Sequence, residues 1–201
     1  YLFSSNLGEI ILIALSLAFR LPLPLIAAQI IWMNVVTDTF FDISLALEPN
    51  DSSLMGRGVR IRKKLFDRLT GGRLALLAPV IGSGSFFLFS QTVATDLTRA
   101  RTLALTALIV FQWFNALNCR SETKSIFRMH PFGNKFLLGT LGLVAILHGF
   151  ALYTPFMNEL LGVEPLALAD WGAIALLALT IIVIEETRKA VVRKRVAMSA
   201  A

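Results

Sequence analysis

Residues 25–47 read LIAAQIIWMNVVTDTFFDISLAL, an apolar run that contains two carboxylates. A helix needs about 20 mostly apolar residues to cross a membrane, and this run is long enough. A charged side chain inside hydrocarbon costs about 2.5–3.5 kcal/mol on insertion scales, so such residues face the interior of a helix bundle and usually serve a function. The run therefore predicts a membrane-spanning helix that carries a polar site.

The composition of the whole chain supports a membrane protein. Of its 201 residues, 56% are apolar and 16% are charged, and the mean hydropathy is +0.70. Soluble domains carry about 25% charged residues, so a soluble, disordered or coiled-coil protein is excluded. The single cysteine, Cys119, excludes a disulfide framework and a cysteine-based metal cage.

The hydropathy pattern predicts an all-α, polytopic membrane protein with six transmembrane helices. The predicted spans are 1–19, 25–47, 74–91, 103–117, 136–153 and 171–184, which together form one domain over residues 1–186. Sixteen of the 19 Lys and Arg residues fall in 48–73, in 119–135 and after Glu186, and three fall in the alternating connections. The net charge of +6 is therefore read as positive-inside charge rather than as a nucleic-acid surface. Both termini, including a basic tail over 187–201, are predicted to be cytoplasmic.

The polar residues of the first two spans form the candidate site. Asn6 and Glu9 are three residues apart, and Asn34 is expected to share a helix face with Thr37 and Asp38. Carboxylate, amide and hydroxyl oxygens are the ligands that Ca²⁺ prefers, whereas zinc and copper prefer imidazole and thiolate. The alternative is a polar cluster that only joins the helices.

Other polar residues have more than one interpretation. Asp42 could bind a cation or protons or reach the headgroups, and Gln112 could be an outer ligand or a packing group. His148 is expected to be packed, and the run 82–84 is expected to support close helix packing. Glu185 and Glu186 are expected to be solvated at the end of the last span.

Two strings resemble the fifth and sixth transmembrane helices of P-type cation-transporting ATPases of the calcium-pump group. They are Ser4-Ser5-Asn6-Leu7-Gly8-Glu9 and Trp32-Met33-Asn34-Val35-Val36-Thr37-Asp38. The string Asn115-Ala116-Leu117-Asn118, followed by Ser121-Glu122, is similar to the loop between the eighth and ninth helices of that family. The resemblance runs in order along nearly the whole chain.

The resemblance implies the carboxy-terminal six-helix part of a pump's membrane domain. It implies cation ligands at Asn6, Glu9, Asn34, Thr37 and Asp38. Gln112 stands where pumps that carry two calcium ions have glutamate, which implies export of Ca²⁺ through one ion site, typical of the plasma membrane. The loop 48–73 would couple the site to a cytoplasmic domain, and its coupling residues would be Arg57, Arg60, Arg62 and Lys63.

The partners implied are the lipid bilayer and the other helices and cytoplasmic domains of the same protein, without nucleic acid. The phosphorylated Asp-Lys-Thr-Gly string is not within these residues, so ATP and Mg²⁺ would bind elsewhere and this segment alone is not expected to hydrolyse ATP. Asp42 replaces a small residue of the calcium pumps, which leaves Mn²⁺ or Na⁺ as alternative cargo. A free-standing membrane carrier or an assembly subunit is the alternative function.

Overall fold

A computed structural model describes residues 1–47, 68–121, 125–129 and 133–198, and these residues contain helices and no strands. The all-α prediction is confirmed for this part of the chain. The helices are α1 (Leu2–Ala18), α2 (Ala27–Trp32), a π-helical segment (Met33–Asp38), α3 (Thr39–Ala46), α4 (Arg68–Thr92), α5 (Leu97–Cys119), a 3₁₀ turn (Ile126–Arg128), α6 (Lys135–Tyr153), α7 (Pro155–Leu161) and α8 (Leu168–Met198).

Four helices are long and apolar enough to cross a membrane. They lie at Thr70–Thr92, Leu97–Cys119, Lys135–Tyr153 and Leu168–Arg193. The first predicted span is a shorter apolar helix of 17 residues, and the second is helical from Ala27 to Ala46 in three consecutive pieces. The structure is thus that of a membrane helical protein, while the count of six spans and the side on which the termini lie remain predictions.

Much of the outer surface of the bundle is apolar, which suits contact with lipid. Large aliphatic side chains point outward on several helices, among them Ile31, Ile146 and Leu176, each more than half exposed. The interior, by contrast, holds buried serine, threonine, asparagine and glutamine side chains. This arrangement places the polar groups inside the bundle, away from hydrocarbon.

Helix α5 lies at the centre of the described bundle. Its side chains are buried without interruption from Thr102 to Gln112, and it contacts α1, α3, α4, α8 and the π-helical segment. A helix that is buried on all sides packs against several neighbours at once. Helix α5 therefore contacts both α1 and the π-helical segment, the two elements that carry the predicted ligands.

Helices α1 and α4 approach each other closely through glycines. A Cβ placed on Gly82 would lie 2.6 Å from the backbone oxygen of Gly8, and one placed on Gly8 would lie 2.7 Å from Ile81. A Cβ on Gly84 would meet the ring of Phe111 at 2.7 Å. The expectation that residues 82–84 support helix packing is confirmed.

The two ends of the bundle differ in charge pattern. The end that we call the basic end holds Tyr1, Arg73, Cys119, Glu185 and Lys189. At the opposite end, Arg99 pairs with Asp170 at 2.9 Å and with Glu164 at 3.4 Å.

The segment that follows α6 turns back at this opposite end through α7. Gly162 ends α7 in the left-handed conformation, with a φ of 57°. Glycine suits that position because it has no Cβ.

Candidate functional site

The π-helical segment Met33–Asp38 interrupts the second span at the predicted ligands. A π-helix has a wider turn than an α-helix, is rare and occurs frequently at functional sites. Thr39 Oγ1 donates to the Asn34 carbonyl oxygen at 3.1 Å, at the boundary of the wide turn. The π-helical segment thus contains three of the predicted cation ligands, Asn34, Thr37 and Asp38.

Asp38 is the central carboxylate of the site. It is 4% exposed, and Tyr1 Oη donates a hydrogen bond to its Oδ1 at 3.1 Å. Glu9 and Asp42 both lie near enough to interact with it electrostatically. The charges of Glu9 and Asp42 therefore repel that of Asp38, and a bound cation would offset this repulsion.

Three predicted site residues carry buried oxygens that accept or donate no hydrogen bond within the described protein. They are Thr37 Oγ1, Asn6 Oδ1 and Gln112 Oε1. Buried polar atoms are normally paired, so each of these oxygens calls for a bound partner. Hydroxyl and amide oxygens suit a hard cation. The donor set therefore fits a hard cation such as Ca²⁺.

Glu9 lies one turn beyond Asn6 on α1 and is 9% exposed. The adjacent Gly8 packs against α4, which keeps this face of α1 away from lipid. Gln112 lies on α5, which contacts both α1 and the π-helical segment. Oxygens from α1, α5 and the π-helical segment can therefore bind one ion only if the distances between these three elements are kept.

Asn34 differs from the prediction. The α-helical spacing places it on one face with Thr37 and Asp38, but its side chain is exposed whereas theirs are buried. The longer period of the π-helical turn places Thr37 further round the helix from Asn34 than an α-helix would, but it leaves Asn34 and Asp38 on nearly the same side. Within the described residues Asn34 is exposed and Asp38 is buried, and Asn34 as a cation ligand stays a prediction.

Asp42 lies one turn beyond Asp38 and is half-buried. It lines a cavity of about 400 Å³ at the basic end, together with Tyr1, Arg73, Cys119 and Arg120. Tyr1 lines this cavity and also donates its hydroxyl hydrogen bond to Asp38. This arrangement favours a role for Asp42 near the site over contact with the lipid headgroups.

The described residues contain no group of three or more His, Cys, Asp or Glu side chains arranged to hold a metal. Cation binding here would depend on amide and hydroxyl oxygens beside the carboxylates. His148 is packed, as expected: it is buried, and its Nε2 lies 3.1 Å from Thr106 Oγ1. The coupling residues Arg57, Arg60, Arg62 and Lys63 lie outside the described residues.

The expectation that Glu185 is solvated is wrong. Glu185 is fully buried, because α8 continues past the apolar run and packs this turn against α4 and α5. Its carboxylate accepts two hydrogen bonds from Arg188, each 2.8 Å long, and lies 3.3 Å from Arg73 Nε. Sequence reasoning missed this ion cluster, because a partner 112 positions away leaves no local signal.

The ion cluster connects to the start of α1 through an amide. Arg73 Nη2 donates to Asn115 Oδ1 at 3.4 Å and to Cys119 Sγ at 2.9 Å. Asn115 Nδ2 in turn donates to Ser4 Oγ at 2.8 Å, and Ser4 donates to the Tyr1 carbonyl at 2.7 Å. A continuous polar chain therefore joins α4, α5 and α1 next to the residue that holds Asp38.

Comparison with known proteins decides the family. Residues 22–191 match the family described as "Cation transporting ATPase, C-terminus". The chain belongs to this family. The match covers the last five of the six predicted spans, and the second span with its candidate site is among them. This agrees with the resemblance seen in the sequence.

Relatives of known name point to the same group. The chain is 34% identical over 196 residues to calcium-transporting ATPase 1 of Saccharomyces cerevisiae, covering 96% of this chain and 21% of that protein. It is 31% identical over 207 residues to calcium-transporting ATPase 1 of Bacillus cereus, covering 94% and 23%. It is 33% identical over 192 residues to calcium-transporting ATPase type 2C member 2 of Mus musculus, covering 92% and 20%. The chain thus spans about a fifth of the length of these relatives.

Proposed function

We propose that this chain is the cation-binding and translocation part of an ATP-driven pump whose cargo is Ca²⁺. The observation that carries the proposal is the buried Asp38 carboxylate at a break in the second span, next to Thr37, whose buried hydroxyl has no hydrogen-bond partner within the described protein. The names of its relatives support calcium as the transported ion. ATP and Mg²⁺ would bind other domains of the same protein.

The ligands in this proposal are Asp38, Thr37, Asn6 and Glu9, with Asn34, Gln112 and Asp42 as further candidates. Because Gln112 is neutral, the carboxylates near Asp38 suit one divalent ion rather than two. Within the described residues, the Asn34 side chain is exposed, so it would join the site only through another part of the pump.

Transport requires that the affinity for the cation differ between two states of the protein. In the state that binds, the π-helical segment presents Thr37 and Asp38 toward α1 and α5. A change in the position of α1 would alter the distances from Asn6 and Glu9 to Asp38, which lowers the affinity and releases the ion. A change of 10⁴-fold in affinity corresponds to about 5.5 kcal/mol, which the movement of cytoplasmic domains would have to supply.

The topology in this proposal has six spans in the domain 1–186, with cytoplasmic termini and the basic tail 187–201. The basic end of the bundle would face the cytoplasm, in agreement with the positive-inside rule. The plasma membrane is the proposed location. A relative of endoplasmic-reticulum type in Arabidopsis thaliana is 30% identical, so an internal membrane is the competing location.

The test is cation-dependent phosphorylation of the intact protein in membranes. Acid-stable phosphoenzyme formed from labelled ATP would be followed while Ca²⁺, Mn²⁺, Na⁺ and K⁺ are titrated separately. We expect Ca²⁺ at micromolar concentrations to stimulate phosphorylation in the wild type and to fail in Asp38→Asn.

Asp96→Asn is the matched control, because Asp96 is an exposed N-cap at the opposite end of α5 and asparagine caps a helix equally well. Normal phosphorylation of Asp38→Asn would refute the site. The absence of stimulation by any ion would refute the pump and favour a carrier or an assembly subunit.

Mn²⁺ or Na⁺ is the second candidate cargo, and the observation that favours it is Asp42. Its half-buried carboxylate lies one turn from Asp38 and adds a charge to the region. Stimulation by Mn²⁺ or Na⁺ in place of Ca²⁺, lost in Asp42→Asn, would assign the cargo accordingly.

A further inference from the structure

The second span is fastened at both ends to one neighbouring unit, the α6–α7 segment Lys135–Leu161. Helix α2 contacts α7 at the opposite end of the bundle, and α3 contacts α6 at the basic end. A buried amide side chain makes the connection at each end. The site-bearing π-helical segment lies between these two connections.

Gln29 makes the first connection. Its side chain is fully buried, and its Nε2 donates to the carbonyl oxygens of Leu161 at 3.1 Å and Gly162 at 3.4 Å. Its Oε1 accepts from the Ile26 backbone N–H at 3.2 Å, at the start of α2. Gln29 thus satisfies carbonyls at the end of α7 that have no partner within that helix.

Asn134 makes the second connection. It is 3% exposed, and its Nδ2 donates to the Ser44 carbonyl oxygen in the last turn of α3 at 3.1 Å. Its Oδ1 caps α6 by accepting from the Leu137 N–H at 2.8 Å. One amide therefore fixes the start of α6 and the end of the second span together.

The segment between these connections has few such bonds. In the described part of the chain, two side-chain hydrogen bonds reach Met33–Asp38 from other elements: Tyr1 donates to Asp38 Oδ1, and the adjacent Thr39 donates to the Asn34 carbonyl. Each residue of an α-helix turns the chain by roughly 100°. If the wide turn relaxed into α-helical register, α3 would rotate relative to α2 by an angle of that order. Two fixed ends oppose that rotation.

We propose that Gln29 and Asn134 are positioning residues that hold the π-helical segment in its wide turn, and thereby hold Thr37 and Asp38 in the cation site. This inference rests on the proposed function for its effect on cation binding. Release of either end permits the rotation. The loss of both connections should therefore cost no more affinity than the loss of one.

The experiment compares Gln29→Met, Asn134→Ser and the double variant in the intact protein. Methionine keeps the volume of Gln29 without its amide, and serine keeps the cap on α6 but cannot reach Ser44. Gln91→Met is the matched control, because Gln91 is exposed at the end of α4. We expect the Ca²⁺ concentration for half-maximal phosphoenzyme to rise about fivefold in each single variant and no further in the double variant. The maximal phosphoenzyme level should stay the same.

Amide hydrogen exchange over residues 33–38 gives a readout that does not depend on pumping. We expect faster exchange in both single variants and no change in Gln91→Met. Unchanged exchange in the single variants would overturn the inference, and so would an unchanged Ca²⁺ dependence. A double variant whose loss of Ca²⁺ affinity is the sum of the two single losses would also overturn it, as would variants that only lower the melting temperature. If the wild type forms no cation-dependent phosphoenzyme, the proposed function fails, and the exchange measurement still decides whether the two amides hold the segment.

Discussion

The site-bearing segment and the ion cluster at the basic end are both polar regions inside an apolar bundle, but they are satisfied differently. Around Glu185 the charges pair with opposite signs: Arg73, Arg188 and Glu185 form one network, and Glu186 lies 4.0 Å from Lys189, although the side-chain amide of the neighbouring Asn118 has no hydrogen-bond partner within the described protein. Asp38, by contrast, interacts with Glu9 and Asp42, which carry charges of its own sign, and the buried hydroxyl of the adjacent Thr37 has no hydrogen-bond partner within the described protein.

The difference separates a structural role from a binding role. A buried ion pair that is complete holds elements in place, and the loss of one member leaves an uncompensated charge. A buried set of acceptors without donors is costly on its own and is compensated only when a ligand arrives. Variants in the two regions should therefore affect different measurements.

The largest effect on stability is expected from Glu185→Leu. The change leaves Arg73 and Arg188 without their carboxylate, and breaking a buried pair costs about 3–5 kcal/mol. Thermal unfolding in detergent should show a large drop in melting temperature. Glu159→Leu, at an exposed position on α7, should leave the melting temperature nearly unchanged. An equal response of the two variants would show that the ion cluster does not stabilise the bundle.

An intermediate effect is expected from Gly82→Ala, which should affect both regions together. The new methyl group would meet the Gly8 backbone oxygen at 2.6 Å, and overpacking costs about 1–3 kcal/mol. Because α1 carries Glu9, its displacement should lower the Ca²⁺ affinity as well as the melting temperature. Gly139→Ala on α6, which has no atom within 4 Å of the new Cβ, is the control. A stable Gly82→Ala protein with wild-type affinity would contradict the close packing.

The smallest effect is expected from Tyr1→Phe. The change removes the 3.1 Å hydrogen bond to Asp38 and keeps the ring contact with Phe41. A hydrogen bond of ordinary net strength corresponds to a weakening of Ca²⁺ affinity of about threefold, measured through phosphoenzyme formation. Tyr153→Phe, which removes a hydroxyl bonded to the Leu166 carbonyl far from the site, should have no effect on affinity. Equal affinities in wild type and Tyr1→Phe would show that the hydroxyl does not orient Asp38.

Much of the fold could be predicted because hydropathy and charge act locally. The last four spans coincide with the four long apolar helices, since a run of about 20 apolar residues has few alternatives to a membrane helix. The extent of α8 was less predictable. It continues beyond residue 184 because Glu185 and Lys189 find buried partners on other helices.

The chemistry of the site could be predicted in part. A carboxylate in an apolar run identified Asp38, and the buried state of Thr37 and Glu9 agrees with that interpretation. The exposure of Asn34 could not be predicted, because residue spacing shows which side chains share a helix face but not which part of that face the other helices cover. Gln29 is a polar residue within the same apolar run, and this alone could have indicated a buried contact. Its partners at the end of α7 could not be predicted, because they are 132 and 133 positions away.

The central claim is that unpartnered buried oxygens near Asp38 bind the cation, and two threonines test it most directly. Thr37→Val and Thr106→Val remove the same hydroxyl from two fully buried positions, one without a partner and one bonded to His148. Melting temperature and Ca²⁺-dependent phosphoenzyme would be measured for both. We expect Thr37→Val to lose about tenfold in Ca²⁺ affinity, about 1.4 kcal/mol, without loss of stability. Thr106→Val should lose about 1–3 kcal/mol of stability with unchanged affinity, because it leaves His148 unpaired. Unchanged Ca²⁺ affinity in Thr37→Val would contradict the account.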